Sequence, residues 1–470
     1  MQLRTIALLA IGLQCSVAFG QAAVPLSDLG EPLHSASAML PAAPSAVISV
    51  PLTAGASTGP VAETQTAAAP DAPDAPQVEA LTLERALALA EKNSPMLQGA
   101  SAMSARARAA IRTAGAYTNP EVEYFAGNQS ARKVAIPGIP GLLQHYAASQ
   151  TVEIPAERSA RQRSARLASL SSNFGEAAIH LAVVAEVKHA FYDALARRAE
   201  VAYARDNLTL VEDLRRRVEV EVRVGEKGRL ELTRAEAELA RARFEVSSAQ
   251  IRLANSIALL RVAIAAPADV QLEPQGELEP PIKLGPIDEL RARVLNAHPA
   301  IAQSQTDIEQ SKAQLAHERT LRIPQPNFYG EYEKQPDLTF WRIGVHLPLP
   351  LWNRRTGQIA EAKAIVNQSV AANDQRRLEI FSALERAYEQ YQIADQQTNS
   401  LQSGSMHEAE SAVDAAKAAY RFGERGIVEV LDAQRVLQSV RADLLNAQYA
   451  RQYALIDLEV LGAVTPGGRP

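Results

Sequence analysis

The chain has 470 residues, of which 47% are hydrophobic, 21% are charged and only 5% are aromatic, and its formal net charge is −5. So few large side chains do not suit one big globular core, whereas they do suit helices that pack through Ala and Leu. The negative net charge gives no support for nucleic-acid binding.

The first 20 residues have the pattern of a secretory signal peptide. Arg4 supplies a positive region, residues 6–13 supply an apolar one, and the segment ends in a small-x-small site at Gly20. The alternative is a buried N-terminal helix. Cys15, the only cysteine of the chain, lies inside this segment without the sequence context of a lipidated cysteine. We therefore expect no lipid anchor, and no disulfide in the mature chain.

Residues 21–78 are rich in Ala, Pro, Ser and Thr and are too poor in large apolar groups to fold. They are predicted to form a disordered or extended linker, and residues 463–470 are predicted to form a tail. No later stretch approaches 18 consecutive apolar residues, so no transmembrane helix is predicted.

The rest of the chain contains an internal duplication. "LTLERALALAEKNSPML" has a counterpart in "IDELRARVLNAHPAI", and "TVEIPAERSARQ" has one in "LPLPLWNRRTGQ", in the same order. The pattern predicts two structural repeats, 79–263 and 287–462, joined by a linker at 264–286. Each repeat is expected to contain a short helix, two strands, a long helix and a return helix.

Two long runs without proline predict the long helices. Residues 158–223 and 354–421 each give a helix of about 100 Å at 1.5 Å per residue. Shorter return helices are predicted at 229–264 and 427–462, and opening helices at 81–117 and 287–322. Two short helices stacked end to end match one long helix in length, so we expect this arrangement side by side in each repeat.

The return helices carry apolar residues at alternating steps of three and four, which is typical of coiled coils, although an ordinary helical bundle is an alternative. These positions are Leu232, Ala235, Leu239, Ala242, Val246, Ala249 and Leu253, and then Val430, Ala433, Leu437, Val440, Leu444 and Ala447. Before each return helix stands a glycine-rich turn, "RVGEKG" from Arg223 and "RFGERG" from Arg421, 198 residues apart.

Four short alternating segments bounded by Pro and Gly predict strands at 120–129, 145–154, 326–334 and 339–347. The first pair flanks the loop "SARKVAIPGIPGLL". Each is long enough to cross a membrane when tilted. In the last strand Trp341, Ile343, Val345 and Leu347 are expected on one face, opposite Phe340, Arg342, Gly344 and His346. Aromatic residues for a membrane girdle are Tyr124, Tyr146, Tyr329, Tyr332 and Trp341.

Four strands do not close a barrel, and open strand edges are not tolerated in lipid. Several chains must therefore contribute if these strands span a membrane: three give twelve strands, whereas two give eight, which leaves no open channel. The alternative is two soluble hairpins packed on the helices.

Together these features resemble the TolC-type outer-membrane efflux family over residues 81–462. The duplication, the "NSP" and "AHP" entry helices, the strand pairs framed by Pro and the tip "AAYRFGERGIVEVLDAQ" carry the resemblance. Within the family, "VHLPLPLWNRRTGQIAEA" looks like the heavy-metal branch (cobalt-zinc-cadmium type), which works with resistance-nodulation-division pumps.

The resemblance implies a mainly α-helical homotrimer with a small β part, in which a long helical coiled-coil barrel is continuous with a 12-stranded β-barrel, four strands per chain. It implies a passive conduit in the outer membrane that extends into the periplasm. The implied partners are outer-membrane lipid, a periplasmic adaptor (membrane fusion) protein and an inner-membrane resistance-nodulation-division pump.

The resemblance also implies site residues. Glu429 and Asp432, three apart on one helix face, correspond to acidic rings at the pore gate, where they select cations; the alternative is a solvated helix face. Glu231, Tyr420 and Arg425 correspond to a closed-state latch. The implied adaptor-docking tips are Arg223, Gly225, Glu226, Lys227, Gly228, Arg421, Gly423, Glu424 and Gly426, of which the four glycines are expected to reverse the backbone.

No catalytic chemistry is predicted. The histidines are scattered without metal-ligand spacing, and there is no nucleophile motif or phosphate loop, so neither a metal site, a cofactor nor an enzyme is expected. Two alternatives to a metal-efflux channel stay open: a drug or polypeptide duct of the same family, and a periplasmic structural coiled coil without a pore.

Overall fold

The computed structural model of the chain describes residues 78–130, 140–268, 270–336 and 338–465. The predicted signal peptide at 1–20, nearly all of the predicted linker at 21–78, most of the first strand loop and the end of the predicted tail lie outside these residues. Within them the fold is mainly helical with a small sheet part, as predicted. None of the described helices is both long enough and apolar enough to cross a membrane.

The two repeats share one order of elements: two short helices, two strands, a long helical stretch and a return helix. The first comprises β1 (Val78–Leu81), α1 (Leu83–Asn93), α2 (Pro95–Gly115), β2 (Glu121–Gln129), β3 (Gly141–Thr151), α3 (Pro155–Arg223) and α4 (Arg229–Ala263). Between the repeats lies β4 (Gln271–Pro274). The second comprises α5 (Ile287–Ala297), α6 (Pro299–Thr320), β5 (Asn327–Lys334), β6 (Thr339–His346), α7 (Thr356–Ser400), α8 (Met406–Arg421) and α9 (Ile427–Val460).

Proline sets the helix boundaries at the start of each repeat. Each predicted opening helix is in fact two helices, because Pro95 and Pro299 force the preceding residues, Ser94 and His298, into extended backbone at ψ near 120°. Pro155 stands at the first position of α3, where its missing N–H costs nothing. With no further proline, α3 runs for 69 residues, about 100 Å.

The second long helix is not continuous, which corrects the prediction of one helix over 354–421. A π-helical segment (Leu401–Ser405) separates α7 from α8. Its sequence, "LQSGS", places Gly404 between two serines, and Gly and Ser are weak helix formers that accompany such local widening. The first repeat has an uninterrupted α3 at the corresponding place.

The long helices lie beside stacked short ones, as predicted. α3 packs along α2 and α4, and α7 packs along α6 and α9, while α3 also contacts α6 and α9 from the other repeat. The alternating stripe of α4 meets α3 through Val201, Ala204 and Ala249. Elements α2 and α4 therefore lie at one lateral edge of the chain, and α7 with α8 lies at the other.

The four long strands form one antiparallel sheet in the order β2-β3-β5-β6. Its register sets Tyr124, Tyr146, Tyr332 and Trp341 in a single row across all four strands, with ring centroids of the first two 4.8 Å apart. This row belongs to the apolar, exposed face, on which the Trp341 side chain is 71% exposed. The other face carries charge, including the ion pair of Arg342 with Glu331.

One predicted girdle residue lies on the wrong face. Tyr329 pairs with Ser149 and Gly344, which places it opposite the aromatic row. Its ring lies over Gly344, where an added Cβ would come within 2.5 Å of the ring. The glycine therefore makes room for Tyr329 on the charged face, and the girdle assignment of this tyrosine was wrong.

The joint between the repeats and the start of the predicted tail are part of the core. β4 lies within 264–286 and pairs in parallel with β1, and Leu81, Phe191 and Leu260 pack around this pair in the middle of the long helices. A second cluster includes Ala463 and Val464. The packed chain therefore extends to at least Val464, past the predicted start of the tail.

A buried charge network ties the joint to both repeats. Lys188 of α3, only 7% exposed, forms an ion pair with Glu459 of α9 and lies 4.0 Å from Glu279 of the joint. The Tyr192 hydroxyl donates to Glu279 at 3.3 Å, and the backbone N–H of Glu279 donates to Gln452 at 3.0 Å. Two carboxylates thus share one lysine.

This imbalance predicts a pH-dependent effect of Glu279→Gln. Burial, and then the nearby Glu459 carboxylate, raise the pKa of the Glu279 carboxyl above its ordinary value of 4.5. The folded state binds the proton more tightly, so this group's stabilisation is present at acid pH and is lost as pH rises through the raised pKa. We expect the glutamine variant to melt higher than wild type at neutral pH and close to it near pH 4.5 in thermal unfolding. A lower melting temperature at neutral pH would contradict this.

Candidate functional site

Both glycine-rich turns use a left-handed glycine to end the helix before them. Gly225 and Gly423 have φ values of 85° and 74°, a region that L side chains disfavour. In the first turn the N–H of Glu226 donates to the Glu221 carbonyl at 2.9 Å, the long bond of a Schellman motif. The second turn repeats this bond, so the two tips are equivalent in structure.

The second glycine of each turn has a different role from the one predicted. Gly228 and Gly426 have φ values of −80° and −84° with extended ψ, and they are the N-cap residues of α4 and α9. The expectation that all four glycines reverse the backbone was therefore wrong for these two. A return helix starts from extended backbone, which any residue adopts.

This difference predicts unequal effects of two valine substitutions. Gly423→Val forces a β-branched residue into the left-handed region, which costs about 1–2 kcal/mol or more. Gly426→Val needs no such backbone and is the matched control. We expect faster tryptic cleavage at the second tip, at Arg421 and Arg425, in the first variant than in the second. Equal cleavage would show that the positive φ does not set the stability of the tip.

The two tips are held together by a small core and one buried tyrosine. Val218, Ile427 and Val430 form this core with Tyr420, whose hydroxyl donates to the Glu221 carboxylate. Burial, and then the hydrogen bond to Glu221, raise the pKa of Tyr420 above its ordinary value. The tyrosine therefore stays protonated and remains a donor between two helical hairpins, α3 with α4 and α8 with α9.

The structure assigns the predicted latch residues to other contacts. Arg425 lies 3.9 Å from Glu429 and Tyr420 bonds Glu221, so neither meets Glu231 within this chain. The Oε2 atom of Glu231 is buried, and no hydrogen-bond partner for it lies among the described residues. Within one chain the three residues therefore make separate contacts, and the closed-state latch stays a prediction.

A second link between the hairpins was missed. Arg435 of α9 donates to Glu238 of α4 at 2.8 Å and crosses a groove of about 550 Å³ between the hairpins. Both pairs that join the hairpins are separated by about one repeat period, 199 residues for Tyr420 and Glu221 and 197 for Arg435 and Glu238. The sequence signal for these links was that complementary residues occupy equivalent places in the two repeats.

The two predicted gate carboxylates lie on the free side of α9. Ile427, Val430 and Leu431 bury the opposite side of the helix, whereas the side chains of Glu429 and Asp432 are 45% and 60% exposed. Each carboxylate has an arginine beside it, because Arg435 lies 3.2 Å from Asp432 and Arg425 lies near Glu429. The exposed face therefore carries paired charges rather than acid alone.

Four of the charged tip residues that were predicted to dock a partner are exposed: Arg223, Glu226, Arg421 and Glu424. The fifth, Lys227, is half-buried, with its ammonium 5.4 Å from the centre of the Tyr420 ring. Two apolar residues at the same tips were missed, Val224 and Phe422, and both are exposed as well. They occupy equivalent positions, directly before Gly225 and Gly423, so an apolar residue inside an otherwise polar turn was the available signal. The tips thus combine charge with apolar area, as partner-binding surfaces often do.

The described residues contain no group of three or more His, Cys, Asp or Glu side chains placed to hold a metal ion.

Comparisons with known proteins agree with this architecture. A family model described as "Outer membrane efflux protein" matches residues 290–463, nearly all of the second repeat. The cobalt-zinc-cadmium resistance protein CzcC of Cupriavidus metallidurans is 24% identical over 374 residues, covering 78% of this chain and 86% of that protein. The pyoverdine export outer membrane protein OpmQ of Pseudomonas aeruginosa is 24% identical over 405 residues, covering 82% and 84%.

A crystal structure of CusC superposes on this chain with a TM-score of 0.69 at 20% identity, covering 81% of this chain and 91% of that one. Long helical hairpins that carry an amphipathic sheet are thus the fold of an outer-membrane efflux channel. Residues 290–463 match this family, which confirms the resemblance found in the sequence. The description of this family names an efflux protein of the outer membrane, a channel rather than an enzyme.

Proposed function

We propose that three copies of this chain form the outer-membrane channel of a tripartite efflux system that exports heavy-metal cations. The observation that carries the proposal is the four-stranded sheet, apolar on one face and charged on the other, whose edge strands β2 and β6 have no partner among the described residues. In lipid such edges must be paired, and three chains supply twelve strands, enough for a channel.

The helices support the same assembly because their edges match those of the sheet. β2, α2 and α4 lie on one side, and β6, α7 and α8 lie on the other. When one side of a chain meets the other side of the next, the contact is heterologous and closes into a ring. The strands then close into a barrel, and the helices close into a tunnel that is continuous with the barrel.

Helix α4 supports this arrangement with a second apolar stripe. Its first stripe faces α3, whereas the opposite side of the helix exposes large apolar residues. This uncovered stripe contains Phe244, Ile251, Leu259 and Val262. The facing edge helix α7 exposes Leu378 and Ile393. A second copy of the chain covers both stripes in the proposed ring.

The stripe gives a direct test of assembly. Phe244, 70% exposed in the single chain, is expected to be buried between copies, so Phe244→Asp should weaken the trimer by placing a charge in an apolar contact. Gln250→Asp adds the same charge on another side of α4 and is the control. Light scattering in detergent should give trimers for wild type and control, and smaller species for Phe244→Asp. A wild-type protein that is a monodisperse monomer with full strand content would overturn the trimer.

The cargo is proposed from charge and from relatives. Glu429 and Asp432 at the tip, and Glu331 and Glu333 on the charged face of the sheet, favour passage of cations over anions. CzcC is described as a cobalt-zinc-cadmium resistance protein, and another relative, CusC of Escherichia coli, as a cation efflux system protein. These residues and relatives support export of heavy-metal cations through a chain that binds them weakly.

A second cargo, an organic solute such as a siderophore, is favoured by the similarity to OpmQ. Deleting the gene separates the two. Metal cargo predicts sensitivity to cobalt, zinc or cadmium that the intact gene restores, with unchanged siderophore release. Unchanged metal tolerance with a loss of siderophore release would assign the organic cargo instead.

The exposed tips are the proposed contact with a periplasmic adaptor, and through it with an inner-membrane resistance-nodulation-division pump. The pairs of Tyr420 with Glu221 and Arg435 with Glu238 are proposed to hold the tips in the closed arrangement, and Glu231 and Arg425 to join the latch where neighbouring copies meet. An ion pair near the surface such as Arg435 with Glu238 contributes about 0–1 kcal/mol, so a ring of such pairs is strong enough to close and weak enough to reopen.

A further inference from the structure

The loop between β6 and α7 exposes a cluster of large apolar side chains. Trp352 is 93% exposed, and Leu349 and Leu351 are also exposed. They follow directly on Val345 and Leu347, which continue the apolar face of β6. The loop at 347–355 therefore extends the apolar surface of the sheet toward the helices.

This loop is built to hold its shape. Pro348 and Pro350 fix two φ angles, and the N–H of Leu351 donates to the Leu349 carbonyl at 2.9 Å in a tight turn. The loop ends at Arg355, whose backbone N–H donates to the Asn353 side chain at 3.0 Å and whose guanidinium pairs with Glu318 of α6 at 2.6 Å. The apolar side chains are thus displayed by an anchored segment.

The first repeat makes the same transition through a shorter loop, in which Val152 is the one exposed apolar residue. Only three residues separate β3 from α3, and Glu153 among them pairs with Arg161 at 2.8 Å. Arg158 completes the connection by donating to the Gly115 carbonyl at 2.6 Å. A strand-to-helix transition in this fold therefore does not need exposed leucine or tryptophan, so the loop of the second repeat has another role.

The dimensions of the sheet indicate what that role is. A transmembrane β-barrel presents an apolar band about 25 Å tall with aromatic girdles at both interfaces. From the aromatic row at Trp341 to Val345 the strand advances four residues, about 13 Å at 3.3 Å per residue and less when tilted. Measured from that row toward the helices, the apolar face of the strands covers about half of the band, and at the level of Val345 it carries one aromatic side chain, Phe328. A single ring per chain leaves the second girdle incomplete among the described strands.

We infer that the 347–352 segment supplies this lower part of the band and that Trp352 lies among the phospholipid headgroups on the helical side of the membrane. Tryptophan prefers that interface, where its ring is half in hydrocarbon and half in water. Arg354 and Arg322 are exposed beside the loop and carry the charge that lipid phosphates bind. The inference rests on the proposed function, because it requires the sheet to span the membrane.

The chain contains only two tryptophans, which allows each to be observed alone. Trp341→Phe leaves Trp352, and Trp352→Phe leaves Trp341; Trp341→Tyr replaces the first variant if it folds poorly, since tyrosines already occupy that row. Each protein is reconstituted into phosphatidylcholine vesicles whose acyl chains are brominated near the headgroup or near the bilayer centre. Quenching by the bromines and by aqueous acrylamide is then measured.

We expect Trp352 to lose more emission to shallow bromines than to deep ones, and to be only partly accessible to acrylamide. Two results overturn the inference while leaving the channel intact: Trp341 is quenched by lipid, but Trp352 is quenched by acrylamide alone, or Trp352 is quenched by neither because a second copy covers it. If neither tryptophan is quenched by bromines, the proposed membrane-spanning sheet fails, and the inference fails with it.

Discussion

Replacing Lys188 with alanine is expected to destabilise the protein more than any other single substitution considered. The lysine is buried between α3 and α9 and lies beside two carboxylates, Glu459 and Glu279. Without it, buried negative charge is left uncompensated. Breaking a buried ion pair from one side costs about 3–5 kcal/mol, to be measured as a fall in the free energy of unfolding in detergent.

Two further variants separate charge from packing. Lys312→Ala removes an exposed lysine that pairs with Glu309 at 2.8 Å, and such surface pairs contribute about 0–1 kcal/mol. Lys188→Met combined with Glu459→Leu and Glu279→Gln removes all three charges at similar volume and should recover most of the lost stability. If Lys188→Ala costs no more than Lys312→Ala, the network does not stabilise the joint between the repeats.

Replacing Glu429 and Asp432 together with alanine is expected to have the largest effect on ion selectivity. In the proposed ring of three chains we expect these exposed carboxylates to approach one another, and unit charges 4 Å apart interact by about 1 kcal/mol in water and about 4 kcal/mol at an effective dielectric of 20. Their removal should lower cation preference and weaken block by added divalent ions, measured as single-channel currents in planar bilayers.

The neighbouring arginine predicts the opposite result. Arg425→Ser with Tyr420→Phe removes a positive charge beside Glu429 and the hydrogen bond to Glu221, so conductance and cation preference should rise. Asp288→Ala with Glu289→Ala removes two carboxylates from the start of α5 and is the control for net charge. Unchanged selectivity in the Glu429 and Asp432 variant would show that these residues do not line the constriction.

The parts of the fold that were predictable from sequence are those with a local cause. Proline and glycine end segments wherever they stand, and alternation of apolar and polar residues places side chains on two faces of a strand. The strands and return helices were therefore found within a few residues. The strand β3 begins at Gly141 rather than near His145, because pairing with β2 extends it beyond its own alternating stretch.

The errors concern features that only tertiary contacts decide. The sequence pattern predicts Tyr329 to be a girdle residue, but the strand register places it over Gly344 on the other face. The turn motif predicts that Gly426 reverses the backbone, but α9 starts directly after it, so Gly426 is an N-cap residue with extended backbone. The partners of the tip residues depend on how two hairpins 198 residues apart meet, and no local pattern gives the choice between Glu221 and Glu231 for Tyr420. Contacts between neighbouring copies depend on the assembly, so a local sequence pattern does not predict their partners.

The π-helical segment at Leu401–Ser405 breaks the equivalence of the two repeats. If both were identical, a ring of three chains would have near-sixfold symmetry, with six interchangeable columns. Widened turns weaken a helix locally, and only one column per chain has one. In the proposed ring three uninterrupted α3 columns alternate with three that carry a π-helical turn between α7 and α8, so we expect the ring to be threefold in its mechanics as well as its sequence. Opening at the tips is then expected to proceed by three movements, one for each interrupted column.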